Sequence, residues 1–460
     1  MLFAKSNHLL MNNMKPNNQK LTILEKIGYG SGDAAVNVVI SSMFLIITYF
    51  YTDVYGLDPK DMALLFLLVR FIDAITDPLM GLITDKFTTK WGRYRHYFLF
   101  LSVPFGLAVF LTFTTPDFDY SGKLIYAYIT YIFVTIMFTS VTIPYISFIS
   151  VLTSDPKEKL SANGYRLFFA KIAAFLVSIV VPILADKLGK NDIAFGYQMA
   201  MGIMALMGTL LFLFSFFTTR ERVEHVVDEK PLLEQFKLLI QNGQWTLLFW
   251  VCMTGTVGYV IRNSVAIFYA KYYLGGDAGV QSTFMATGVV AAILAMPVST
   301  LITKHYCKIK LFKYTQLAVG GISLLMFLAI KPGDLMLAYV LYFILSFVVD
   351  LHAPVFWSAI AEAVDYGHAE TGKRVSGLSF GGISFAQKFG MGIAGAAVGY
   401  MLDFFEYVPK AEVQTDFALL GIALMLTVIP GVFHVIMGGI MFKYKITDEY
   451  YQTIKAKLNI

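Results

Sequence analysis

Runs of about twenty apolar residues, the length of helix that crosses a ~30 Å hydrocarbon layer, recur along the whole chain. They fall at about 33–54, 61–84, 97–115, 124–152, 167–187, 197–217, 246–273, 281–303, 311–330, 335–360, 375–402 and 417–442. With no water in the layer, each crossing segment must satisfy its own backbone hydrogen bonds, and a helix does so. An all-α membrane chain with twelve spans is therefore expected. The bulk composition agrees: 57% of residues are hydrophobic and only 15% charged, where soluble domains carry about 25% charge. Cys252 and Cys307 are too few and too far apart for a disulfide framework or a cysteine metal site. The net charge of +5 is spread in short clusters, which argues against nucleic acid as a partner.

The connections between runs alternate in charge. Lys86, Lys90, Arg93 and Arg95 follow the second run, Lys157, Lys159 and Arg166 the fourth, and Arg220, Arg222, Lys230 and Lys237 the sixth. Lys304, Lys308 and Lys310 follow the eighth, and Lys373 and Arg374 the tenth. Most of the intervening connections hold a single lysine. Basic residues stay on the cytoplasmic side, so both termini are expected there, in a bacterial inner membrane. Residues 1–24 lack a signal peptide's apolar stretch and read as a cytoplasmic tail, with Met11 and Met14 as alternative starts. The charged stretch 218–245 divides a bundle at 25–217 from a second at 246–442, and 443–460 forms a second tail.

Inside the runs, charge is expensive, and an ionisable residue there is a functional hypothesis by default. The second run, LLFLLVRFIDAITDPLMGLITDK, holds Arg70, Asp73 and Asp77 on one helical face. Two neighbouring carboxylates in a low-dielectric setting repel, so they need a proton, a cation or basic partners. Hydroxyls beside carboxylates suit a hard cation such as Na⁺. Asp73, Asp77, Thr76 and Thr139 are the expected cation ligands. The competing reading is a structural ion-pair network in which Arg70 and Lys388 neutralise the two acids.

Arg262 and Lys388 lie at depth in the seventh and eleventh runs and are candidates for binding a solute. Hydroxyl-rich solutes are bound by polar side chains and aromatic faces, which adds Asn37, Tyr145 and Trp357. The chain has no phosphate-binding loop, zinc-protease motif or nucleophile elbow, and an enzyme is not expected.

The segments EKIGYGSGDAAVN, FYTDVYGL, RFIDAITDPLMGLITDK, KWGRYRHY, VTIPYIS and AEAVDYGHAETGKR together resemble the glycoside–pentoside–hexuronide:cation symporters of the major facilitator superfamily. The resemblance implies two six-helix bundles and symport of a sugar or glycoside with Na⁺ or H⁺ by alternating access, without a cofactor. It places the cation on Asp73, Asp77 and Thr139. It places the solute on Asn37, Thr142 and Trp357, with Lys388 near both sites. Where the family's best-known member has asparagine between the paired aspartates this chain has Thr76, and where that member has aspartates for the sugar this chain has Asn37 and Thr142. Fewer acids plus Arg262 would suit an anionic hexuronide, whose carboxylate could take a bidentate arginine. Asp85, Arg93 and Arg95 are the expected cytoplasmic gate. The implied partners are a small sugar, a monovalent cation and lipid, with the protein a monomer. A proton-driven exporter of amphipathic compounds is the alternative.

Overall fold

A computed structural model describes residues 20–153, 155–223, 232–373, 375 and 377–458, apart from a few side chains. The described chain is helical, and its segments fall on the twelve expected runs. Among the described residues, eight helices are long and apolar enough to cross a membrane unaided: Tyr120–Leu152, Ser161–Gly189, Ile193–Thr218, Gly243–Tyr273, Ala278–Ile302, Lys308–Ala329, Leu335–Thr371 and Asp416–Met441. The first span is a pair, Ile23–Leu45 and Ile47–Tyr55, bent by 54°. The other three are less apolar or broken for visible reasons. Pro59–Lys86 carries the buried charges, Gly377–Phe404 dilutes its apolar residues with glycine, serine and Lys388, and the third span is split into Arg95–Phe100 and Ser102–Thr112.

Two spans begin earlier than hydropathy places them. The first starts at Ile23 rather than at 33, because Thr22 and Glu25 form a reciprocal capping box: the Thr22 hydroxyl accepts from Glu25 N at 3.2 Å and the Glu25 carboxylate accepts from Thr22 N at 2.9 Å. Such a cap contributes about 1 kcal/mol. The charges that interrupt the apolar run are paired: Glu25 with Arg222 at 2.6 Å, Lys26 with Glu158 at 2.8 Å, and Asp33 with Arg166 at 3.5 Å. The fifth span likewise starts at Pro156 rather than at 167.

The first span packs on the fifth and sixth, and the seventh on the eleventh and twelfth. The two halves meet where the second span lies along the eleventh and the fifth along the eighth. Helices in lipid associate by close packing rather than by hydrophobic drive, so small residues mark the seam. Gly392, Gly395 and Gly399 of the eleventh span face Arg70, Phe66, and Pro59 with Ala63 of the second. At Gly399 an added Cβ would stand 2.5 Å from the Pro59 carbonyl oxygen, so only glycine admits this approach.

The tenth span breaks between Asp350 and Ala353, where Pro354 opens the second piece. The twelfth breaks at Thr427, between Leu426 and Val428. A final amphipathic helix, Asp448–Leu458, buries Ile454 and is tied back by Tyr451 to Asp365 at 2.7 Å.

Candidate functional site

The second span turns Phe71, Ile75 and Leu79 outward, exposed, while Arg70, Asp73 and Asp77 sit on its opposite face. Arg70 bonds Asp73 at 2.8 Å, one turn along the same helix. Asp77 reaches two other spans. Its Oδ1 accepts from the Thr139 hydroxyl at 2.9 Å and from the Lys388 ammonium at 2.6 Å, and its Oδ2 lies 2.5 Å from the same ammonium. The expected ion pairs therefore exist, two acids against two bases.

They do not use up the oxygens. Asp73 Oδ1 and Thr76 Oγ1 are buried among the described residues without a hydrogen-bond partner. Leaving such atoms unmet costs about 1–3 kcal/mol each, more for a charged group. A purely structural network would gain by satisfying them. With Asp77 and Thr139 they form an all-oxygen set suited to a small hard cation or a proton. Described His, Cys, Asp and Glu residues form no trio able to hold a metal ion. Between the halves, a cavity of about 30 Å³ bordered by Thr48, Arg70, Tyr131 and Ser264 has room for a water molecule.

The expected solute ligands divide. Asn37 donates to the Asp33 carbonyl at 2.8 Å, and the Thr142 hydroxyl is buried with no partner among the described residues. Lys388 stands beside Phe138 of the fourth span as well as Asp77. Tyr145 is different: its ring is fully buried, stacked on Tyr29 at 5.2 Å, and its hydroxyl donates to the Tyr29 carbonyl at 2.7 Å. It braces the first span against the fourth and offers no free face. Trp357 is half-exposed beside Phe356 on the tenth span.

Arg262 also departs from expectation. It is 3% exposed and turned into its own half, where Nε donates to the Leu426 carbonyl at 3.3 Å. That carbonyl lies at the break in the twelfth span. This contact ties Arg262 to its own half, while its Nη2 is buried without a hydrogen-bond partner among the described residues.

The Asp33–Arg166 pair escaped the sequence reading. Asp33 was read as a span boundary and Arg166 as a loop charge, yet the two join the first and fifth spans one turn from Asn37. The signal was there in TILE at 22–25, whose capping-box spacing moves the helix start outward and puts Asp33 inside the span.

At the end of the molecule where the first span begins, the Arg95 guanidinium donates to the Phe216 carbonyl at 2.7 Å and lies over the Phe216 ring. The backbone N–H groups of Arg93, Tyr94 and Arg95 donate to the Glu221 carboxylate at 2.7–3.1 Å. Among the described residues these contacts join Arg95 to the sixth span and to the stretch after it and do not reach the second bundle. The Asp85 side chain lies outside the described residues.

A family profile described as MFS/sugar transport protein matches residues 28–448. The inner membrane symporter YicJ of Escherichia coli (strain K12) is 30% identical over 439 residues, 95% of each chain. The isoprimeverose transporter of Lactiplantibacillus pentosus is 31% identical over 396 residues, 84% of this chain and 81% of that one. Among solved structures, a bacterial homolog of the human lysosomal transporter Spinster superposes with a TM-score of 0.68 at 13% identity, covering 93% of this chain and all of that one.

Proposed function

The chain belongs to the MFS/sugar transport protein family, and on that premise we propose that it is a multi-pass secondary transporter that moves a sugar or glycoside together with a cation. Asp77 carries the proposal: one carboxylate holds a hydroxyl from the fourth span and an ammonium from the eleventh, across the seam between the halves. The cation, Na⁺ or H⁺, enters among Asp73, Thr76, Asp77 and Thr139. The two unmet oxygens support this placement.

Lys388 links ion to solute. While no cation is bound, its ammonium neutralises Asp77. A cation arriving at Asp77 takes over that role and releases the ammonium to donate to solute hydroxyls near Asn37 and Thr142. By linkage, solute then raises cation affinity by the same factor as the cation raises solute affinity. Both termini face the cytoplasm of a bacterial cell, and Arg93, Arg95 and Asp85 belong to the cytoplasmic gate. The protein works as a monomer without a cofactor. The family's sugar-transport description favours this reading over the exporter alternative, which is less supported.

The experiment is uptake into sealed vesicles under an imposed Na⁺ or H⁺ gradient, against a panel of glycosides, pentosides and uronides. Asp73→Asn and Asp77→Asn are expected to abolish accumulation above equilibrium while the protein remains inserted. Accumulation that survives both substitutions overturns the symport reading.

A further inference from the structure

The first and seventh spans end alike. Phe50–Tyr55 (FYTDVY) and Tyr269–Tyr273 (YAKYY, preceded by Phe268) are both wide, π-helical turns. In register, Phe50 matches Phe268, Tyr51 matches Tyr269 and Tyr55 matches Tyr273. Each turn is followed by a glycine in the left-handed region, Gly56 at φ 90° and Gly275 at φ 67°. Within this shared frame one position differs in sign: Asp53 in the first half, Lys271 in the second.

Those two residues meet. The Asp53 side chain is 1% exposed and lies 3.6 Å from the Lys271 ammonium. Its Oδ2 accepts from the Tyr407 hydroxyl at 2.6 Å and from the Thr52 hydroxyl at 2.8 Å, and its Oδ1 accepts from the Tyr272 hydroxyl. Lys271 in turn donates to the Tyr49 hydroxyl at 2.8 Å. One carboxylate thus gathers the first span, the seventh span and the connection after the eleventh. All of these lie at the distal end, where residues 55–59 join the first two spans. The exposed pair Lys60–Asp403, at 2.9 Å, also crosses between the halves there. The ion pairs described at the opposite end, Lys26–Glu158, Arg222–Glu25 and Lys308–Glu362, each join residues of one half or its adjoining loop.

We propose that Asp53 and Lys271, equivalent positions of the two halves, form the latch that holds the transporter shut at its distal end. Chemistry favours a latch over a permanent staple. Closing buries the Asp53 carboxylate and leaves the Lys271 side chain 31% exposed, so it forfeits the hydration of the one and part of that of the other, and their attraction roughly offsets that loss. A pair that returns both ions to water on opening therefore leaves the open and closed states close in free energy, as a carrier requires. The exposed Lys60–Asp403 pair is screened by solvent and contributes little. Because each half supplies one member from the same turn, separating the two turns breaks the ion pair and all its cross-half hydroxyl contacts together.

The test reads conformation directly. In a Cys252→Ser, Cys307→Ser background, Ser264→Cys places a thiol at a buried position lining the cavity between the halves. A membrane-impermeant maleimide is added to each side of sealed vesicles in turn. Asp53→Asn or Lys271→Gln is expected to speed labelling from the distal side about tenfold, one decade of a two-state population. The swap Asp53→Lys with Lys271→Asp is expected to restore the slow rate, which also shows that the turns still fold. Unchanged labelling in both single variants overturns the latch, and so does a swap that labels as fast as the singles. The inference rests on the transporter reading, yet labelling needs no solute flux. Failure of symport would show in gradient-driven uptake and failure of the latch in labelling alone.

Discussion

The ammonium of Lys388 lies 2.6 Å from Asp77 Oδ1 and 2.5 Å from Oδ2, joining the eleventh span to the second across the seam between the two halves. A lysine in that position is an internal competitor for any cation that binds the same carboxylate. Lys388→Ala is therefore expected to raise cation affinity by about tenfold or more, the equivalent of removing about 1.4 kcal/mol of competition, while solute affinity falls. Cation titration of the purified protein, by calorimetry for Na⁺ and by proton uptake for H⁺, measures it. Unchanged or weaker cation binding would show that the ammonium does not compete.

Thr139 donates its hydroxyl to Asp77 at 2.9 Å, and a cation at that carboxylate would take the hydroxyl oxygen as a ligand. Thr139→Val keeps the shape and removes the oxygen. It is expected to weaken cation affinity by about 1–3 kcal/mol, whereas Thr139→Ser keeps most of it. Equal cation dependence of uptake in the two variants would argue that the hydroxyl is only a packing element.

Much of this site was legible in the sequence because it depends on local spacing. Asp73 and Asp77 share a face by helical geometry, and the segment around them carries the family resemblance. What escaped depended on tertiary contact. Nothing in the chain around Tyr145 says that its ring stacks on Tyr29, or that Arg262 turns toward a carbonyl 164 residues away. Asp33 and Arg166 were misread for a simpler reason. Hydropathy ends a span where charges begin, but these charges neutralise one another and the helices continue through them.

Arg262 caps the carbonyl at the break in the twelfth span. Arg262→Met keeps most of the side-chain volume and leaves the Leu426 carbonyl without that donor. The expected result is a loss of about 1–3 kcal/mol of stability, seen as a lower unfolding midpoint in detergent. The KM for a neutral glycoside should stay unchanged in the protein that remains folded. A raised KM with unchanged stability would place Arg262 at the solute site.

Gly399 faces the Pro59 carbonyl and Ala63 so closely that an added Cβ would sit 2.5 Å from the carbonyl oxygen and 2.7 Å from the alanine methyl. Neither neighbour is the end of a flexible side chain, so the strain cannot be relieved by a rotamer change. Gly399→Leu must push the distal ends of the second and eleventh spans apart, while Asp77 lies about four to five turns and Lys388 about three turns away along the same helices. The variant is expected to insert and to bind cation, because the oxygen ligands are untouched, but not to close at the distal end. Accumulation should be lost while solute exposed on the distal side still binds. Gly381→Leu, on the same span but with open space around its Cβ, is the control for helix propensity and should transport normally. Wild-type accumulation by Gly399→Leu would mean that the close approach of the two spans plays no part in the transport cycle.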